Sequence, residues 1–412
     1  MSNTVSHLPR TRSGSWPHKR RAVLDWLMND TSAQRFLDNL LVDMCERLVA
    51  DGISVARSSL HLRIQHPQWQ GARILWQTGA VEAEIDTFDY NVDTTEIFLR
   101  KPATEIYNGA SEVRQHLFAR TGEISKYPLF EELHREGYTD YVAWPIKHTL
   151  GKCHVVTFAT KKPHGFLQHD MDYLKDLLPA LALASEIRMK NAMARTLLET
   201  YVGAHAGAEI LAGATTRGSG KTFKAAIMIC DLRDFTALSD LWPRDDIIEI
   251  LNGYFDAICD PIETRGGEIL KFMGDGLLAI FPLSNPDACD DLLYAIKEGQ
   301  SRMETLNGQL LETGKDALRY GIGVHVGDVM YGNIGSRKRL DFTAIGPAVN
   351  IASRLEEFTK KTKQSVLLSA EFISLANCSS EVVALGSHRL RGLETPVSIF
   401  GLIDEGYRAD DT

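Results

Sequence analysis

The chain has 412 residues, 24% of them charged and 44% hydrophobic, and a formal net charge of −9. This is the composition of a globular protein long enough for two domains, and its charge gives no global bias toward nucleic acid or an anionic membrane surface, so no nucleic-acid partner is expected. No apolar run approaches the length of a membrane span and no secretory leader opens the chain, so a cytoplasmic protein without a transmembrane segment is expected.

Residues 1–21 are polar and basic, with Arg10, Arg12, Lys19, Arg20 and Arg21, and residues 1–32 are expected to form a mobile tail. Residues 33–188 read as a separate α/β unit. Phe36, Leu37, Leu40, Leu41, Met44 and Leu48 have helical spacing. Strand-like runs follow at 58–64, 73–78, 141–146 and 153–159, and then a helix over 168–188. This order is similar to that of a GAF-type ligand-sensing domain, with His154 and Val155 departing from the small residues common in its final strand pair. The resemblance implies a small-molecule or protein effector. Trp69, Trp76, Trp144, His148 and His154 are candidates to line a pocket, though such residues are more often core and rim.

The helical pattern continues over 170–200, with a kink expected at Pro179. Ala184, Ile187, Ala194, Leu197 and Leu198 form a stripe, broken by Asn191, that suits either a second copy of the helix or its own domain. Residues 203–222 are rich in glycine and small residues, so 189–222 reads as a linker, 223–402 as a second domain and 403–412 as a tail. The GSGKT at 218–222 is not a phosphate-binding P-loop: the first glycine of that pattern would fall on Thr215, and the segment precedes a strand. The six cysteines form no CxxC pair, and the apolar settings of Cys230 and Cys259 predict reduced thiols.

Residues 225–230 are a continuous apolar run, the pattern of a buried central strand. The run ends at Asp231, and the Leu-Arg-Asp-Phe-Thr that follows leads into a helical pattern. The backbone N–H groups of 233–236 are therefore expected to be free to face an anion, although Asp231 or Asp234 could simply cap the helix. Further on, 266–276 reads GGEILKFMGDG. Apolar runs on either side of Gly274-Asp275-Gly276 predict a hairpin with Asp275 at its tip. Lys271 shares a face with Met273 and Asp275 by strand alternation, and a lysine in an apolar strand is costly to bury unless something accepts its hydrogens. Two carboxylates on neighbouring strands, with turn amides, suit a pair of Mg²⁺ ions carrying a nucleotide triphosphate. An ordinary Asp-Gly turn is the plain alternative.

Residues 321–326, Gly327-Asp328 and 329–334 read as another hairpin. In 349–358, Val349, Ile351, Ala352, Leu355 and Phe358 mark the apolar face of a helix. Asn350 and Arg354, four apart, share a different face. They could grip a ribose and a phosphate, or Arg354 could pair with Glu356 or Glu357.

These motifs, in this order, resemble the catalytic domain of class III nucleotidyl cyclases over 223–402. The resemblance implies a ferredoxin-like βαββαβ domain of the α+β kind, so the whole chain would be an α/β protein with a GAF-like unit ahead of a cyclase domain. It implies that Asp231 and Asp275, with Leu232 beside the first, hold two ions, Mg²⁺ or Mn²⁺. Lys271 and Thr343 would read the purine base. Most of the family carries aspartate at the second of these positions; Thr343, within FTAIG, looks like the subclass that makes cyclic AMP from ATP. A lysine donor and a threonine hydroxyl can meet both the amino group and the ring nitrogen of adenine. Asn350 would orient the ribose and Arg354 stabilise the transition state, while Arg391 and the turn residues Phe235 and Thr236 would contact phosphates. Pro347 departs from the acidic residue often found after the glycine. The implied activity is an adenylate cyclase, with a guanylate cyclase or a silent nucleotide-binding module as alternatives. A single catalytic domain per chain further implies a homodimer in which the aspartates of one copy meet Lys271, Thr343, Asn350 and Arg354 of the other.

Overall fold

The structure, a computed structural model, describes residues 21–64, 66–90, 101–117, 127–362, 364–378 and 380–403. The basic residues up to Arg20 and the end of the chain from residue 404 lie outside these. The chain divides into two compact units, Met1–Leu197 and Leu198–Thr412.

The first unit is built on a six-stranded antiparallel sheet, β1 (Arg57–Arg63), β2 (Gly71–Gln77), β3 (Glu84–Phe88), β4 (Val113–His116), β5 (Asp140–Lys147) and β6 (Cys153–Thr160), in the order β3-β2-β1-β6-β5-β4. Helices α1 (Ala22–Asn29), α2 (Leu37–Ala50) and the long α5 (Gln168–Val202) bury their apolar residues on the face formed by Leu60, Leu62, Val142, Trp144, Val156 and Phe158. Two short helices, α3 (Pro102–Tyr107) and α4 (Pro128–Arg135), cover the opposite face over Tyr141, Ala143, Val155 and Ala159. Alternation along each strand divides the two cores, as a sheet covered on both sides requires. Helix α1 corrects the expectation of a tail to residue 32. Val23, Leu24, Trp26 and Leu27 are all buried, which anchors the segment. Pro179 sits inside α5, which continues through it as one helix. Trp76 and Trp144 are core residues, and Trp69 stacks on His66. His148 donates to or accepts from Ser185 and packs beside His154.

In the second unit, helix α6 (Ala204–Leu211) precedes β7 (Gly220–Leu232), α7 (Phe235–Leu241), α8 (Arg244–Thr264), β8 (Glu268–Met273), β9 (Gly276–Pro282), α9 (Ala288–Glu312) and β10 (Tyr320–Gly335). The four strands lie in the order β10-β7-β9-β8, and with α8 and α9 they form the expected ferredoxin-like βαββαβ unit. Then come β11 (Leu340–Ile345), α10 (Pro347–Thr362), β12 (Val366–Ser369), α11 (Ala370–Ile373), β13 (Val382–His388) and β14 (Val397–Leu402). The last group extends the sheet through β12, β14 and β13, while β11 pairs with β10. Helices α8 and α9 pack on one face, against Met228, Cys230, Leu277, Ala279 and Ile322. Helix α10 joins the core on the other, with Ile227, Ile229, Leu278 and Ile280.

The hairpin expected at 321–334 is instead one sixteen-residue strand, β10. Its Gly327-Asp328 is paired in register with Ala225 and Lys224 of β7 and makes no turn. Gly327 serves packing: a Cβ there would lie 2.7 Å from the Ala348 Cβ of α10. The true hairpin joins β10 to β11, with Gly335 opposite Leu340 and Arg337, Lys338 and Arg339 in the connection. All six cysteines are free thiols. No helix among the described residues is long and apolar enough to cross a membrane.

Candidate active site

Asp231 is the penultimate residue of β7, whose preceding residues, Ala225 to Cys230, are almost wholly buried. Across the sheet its register partner is Gly276, so Asp231 stands beside Asp275 in the β8–β9 turn. Met273 pairs with Gly276, leaving Gly274 and Asp275 as a two-residue turn. Gly274 has φ +73°, as the first position of a II′ hairpin turn requires. A Cβ on Gly276 would fall 2.6 Å from Asp231 Oδ1, so glycine here keeps room for the carboxylate. Burial pushes the Asp231 carboxyl above its ordinary range, the Asp275 carboxylate adds to the rise, and Lys360 opposes it.

Two like charges held side by side favour a cation between them. Among the described residues no group of three or more His, Cys, Asp or Glu is arranged to hold a metal ion. A Mg²⁺ ion held by two carboxylates alone would complete its shell with water and substrate oxygens, as it commonly does with phosphates.

Lys271 is exposed on β8, and its ammonium is ion-paired with Asp341 of β11. Thr343 lies two residues beyond Asp341, on the same face of β11. The structure thus brings Lys271 close to the strand that carries Thr343. The exposed apolar residues Phe272, Met273, Leu340 and Ile345 belong to these same two strands. The acceptor for Lys271, Asp341, was missed in the sequence. Its signal is an acid two residues from a base-reading position, which is legible only once the strand is known.

Asn350 and Arg354 both lie on α10, Asn350 exposed and Arg354 ion-paired with Glu357 at 2.9 Å. Among the described residues no side-chain hydrogen bond or ion pair joins either to Lys271, Thr343, Asp231 or Asp275. Glu356, on the buried face of the same helix, is a second missed residue. It falls in line with Ala352, Leu355 and Thr359, so the signal was an acid on an apolar stripe. Burial, and next the Asp231 carboxylate, push its pKa up to about 7; Lys360 and Arg233 act against the rise.

The loop after β7 is less open than expected. The Arg233 N–H donates to the Arg319 carbonyl at 2.7 Å, so it is not free for an anion. Asp234 occupies the N-cap position of α7 in a left-handed conformation without capping it. Its carboxylate instead accepts from Arg319 at 2.6 Å. Leu232 is buried, and Phe235 and Thr236 open α7. Arg391 is exposed in the turn after β13, beside the buried Leu390.

Residues 219–403 match the family described as the adenylate and guanylate cyclase catalytic domain. An adenylate cyclase of Anabaena cylindrica is 31% identical over 190 residues, 44% of this chain and 37% of that protein. Adenylate cyclase 1 of Rhizobium meliloti is 28% identical over 178 residues, 43% of this chain and 27% of that protein. Among solved structures, guanylyl cyclase Cya2 is 30% identical over 46% of this chain and 96% of its own, with a TM-score of 0.40. The chain spans well under half the length of either curated relative.

Proposed function

We propose that the chain converts ATP to 3′,5′-cyclic AMP and pyrophosphate, at sites shared by two copies and under the influence of its N-terminal unit. The observation that carries this reading is Asp231, at the end of β7, standing opposite Gly276 and so beside Asp275 in the turn of the hairpin that also bears Lys271. In the reaction the 3′-hydroxyl attacks the α-phosphorus and pyrophosphate leaves. Asp231 and Asp275 would hold Mg²⁺ or Mn²⁺, which supplies electrophilic stabilisation to the attacking hydroxyl and the phosphate oxygens. Lys271 and Thr343 bind and select the base, with Asp341 holding the lysine in reach. Asn350 orients the ribose. Arg354 faces charge that gathers on the phosphate oxygens, where a fixed guanidinium is most effective; it would exchange Glu357 for the phosphate. Arg391 and the turn residues Phe235 and Thr236 are assigned to the terminal phosphates.

The two curated relatives named above are called adenylate cyclases, which supports ATP over GTP. Purified full-length chain with Mg²⁺ or Mn²⁺ is expected to turn over ATP faster than GTP. Faster turnover of GTP would reverse the base assignment, and no product from either would leave a silent nucleotide-binding module.

A further inference from the structure

The first unit has a cavity of about 380 Å³ between its sheet and the short helices α3 and α4. Its floor is polar where a sheet face under two helices should be apolar. Arg57, Ser59 and His61 alternate along β1 onto this side, while Leu60 and Leu62 face the opposite core. Arg73 of β2 is the register partner of His61, and Thr157 of β6 that of Ser59. Ser59 is hydrogen-bonded to both Thr157 and His61. Lys101 closes one side, and Pro102, Ala103, Pro128 and Leu129 supply an apolar wall.

Among the described residues, three cations, Arg57, Arg73 and Lys101, therefore line one small cavity with a single carboxylate, Glu132. Arg73 is held by Asp86, outside the lining. Arg57 is only 7% exposed, and its Nε is buried with no hydrogen-bond partner. A buried N–H of a guanidinium left without an acceptor is costly. The three charges also act on one another's surroundings. Burial, and then Arg73, push both Arg57 and Lys101 down. Burial, with Arg73, Lys101 and Arg57 behind it, lowers His61 to about 3, so its imidazole is neutral at physiological pH. Among the described residues, cations outnumber the carboxylates that face them beneath the two helices, an excess that an anionic ligand would balance.

We propose that this cavity binds a small organic anion bearing phosphate or carboxylate groups, held by Arg57, Arg73 and Lys101, with its body against the Pro102–Leu129 wall. Its volume lies near the lower end of the range for small-molecule sites. Ser59, Thr157 and Tyr141 offer hydroxyls for orientation.

The test is isothermal titration of the full chain at fixed ionic strength with two probes, citrate for carboxylates and glycerol 3-phosphate for phosphates. At least one should bind once per chain, above a matched chloride control. Arg57→Met and Lys101→Met should each weaken that binding by about tenfold or more, the loss of a charge-assisted contact. Without ligand, Arg57→Met should melt no lower than the wild type, because it removes a buried charge whose Nε has no acceptor. Lys101→Met, at the cavity's side, serves if Arg57→Met fails to fold. Binding of neither probe, or binding unchanged in the folded variants, overturns the proposal. Neither result bears on cyclase activity.

Discussion

Asp231 sits where its charge is opposed twice, by burial and by Asp275, and the proposed cation would relieve both. Asp231→Ala or Asp275→Ala should lower turnover by about a thousandfold or more while leaving the circular dichroism spectrum intact. Near-normal activity in either purified variant would remove the metal assignment. Glu356 offers a separate test. Its folded pKa, about 7, stands above its ordinary 4.5, so the folded chain keeps a proton that the unfolded chain has already lost. The stability contributed by this group is therefore full below about pH 4.5 and falls as pH rises toward 7. The groups that set this value are Asp231, Lys360, Arg233 and Glu357. In chelator, Glu356→Gln should flatten that fall and melt higher than the wild type at pH 8, but not at pH 5. Equal melting shifts at both pH values would show that Glu356 is not protonated in the fold. The placement of Asp231 at a strand end, of Asp275 in a glycine turn and of Lys271 on the strand before it was legible from the apolar runs and glycines around them. Glu356 and Asp341 were not, since their meaning lies in burial and in a partner distant along the chain.

Helix α10 reaches the sheet only because β10 lacks side chains beneath it. A Cβ on Gly323 would lie 2.2 Å from both the Ala352 carbonyl oxygen and the Glu356 nitrogen. These are backbone atoms of the helix and cannot swing aside. Gly323→Ala should therefore destabilise the second unit by about 1–3 kcal/mol. It should also shift α10, with Asn350 and Arg354 on it, so that kcat falls more than base selectivity changes. Wild-type melting and kcat in this variant would mean that the helix lies further from the strand. The same glycines explain why β10 was misread. Gly327-Asp328 between apolar runs has the local signature of a turn, and no local signal says that a glycine is there to admit a helix. The hairpin at 274–275 carries a similar signature and is a real turn, because β8 pairs directly with β9. In the first unit the long apolar strands β1, β2, β5 and β6 were legible. The edge strands β3 and β4 were not, being short and partly exposed, with no clean alternation.

At the scale of the whole molecule, the arrangement of the catalytic unit supports a site completed by a second copy. Lys271 and Asp275 lie on one hairpin, yet the lysine is turned to Asp341 and the aspartate stands beside Asp231. Within one chain the groups proposed to read the base and to hold the metal thus engage different neighbours. Exposed Phe272, Met273, Leu340 and Ile345 surround the former with apolar surface suited to a partner. A two-fold axis would set each patch against its counterpart and create two equivalent sites. Asp275→Ala and Arg354→Ala should each be inactive alone, because every site in either homodimer lacks one group. In a mixed dimer one site carries both substitutions and the other carries neither. Equimolar mixing with free exchange makes half the dimers mixed, each with one of two sites intact, so activity should return to about a quarter of wild type. Exchange is followed independently by fluorescence transfer between labelled copies. If mixed dimers form and activity stays at the level of the single variants, Asp275 and Arg354 act on the same bound nucleotide from within one chain, and the shared site is ruled out.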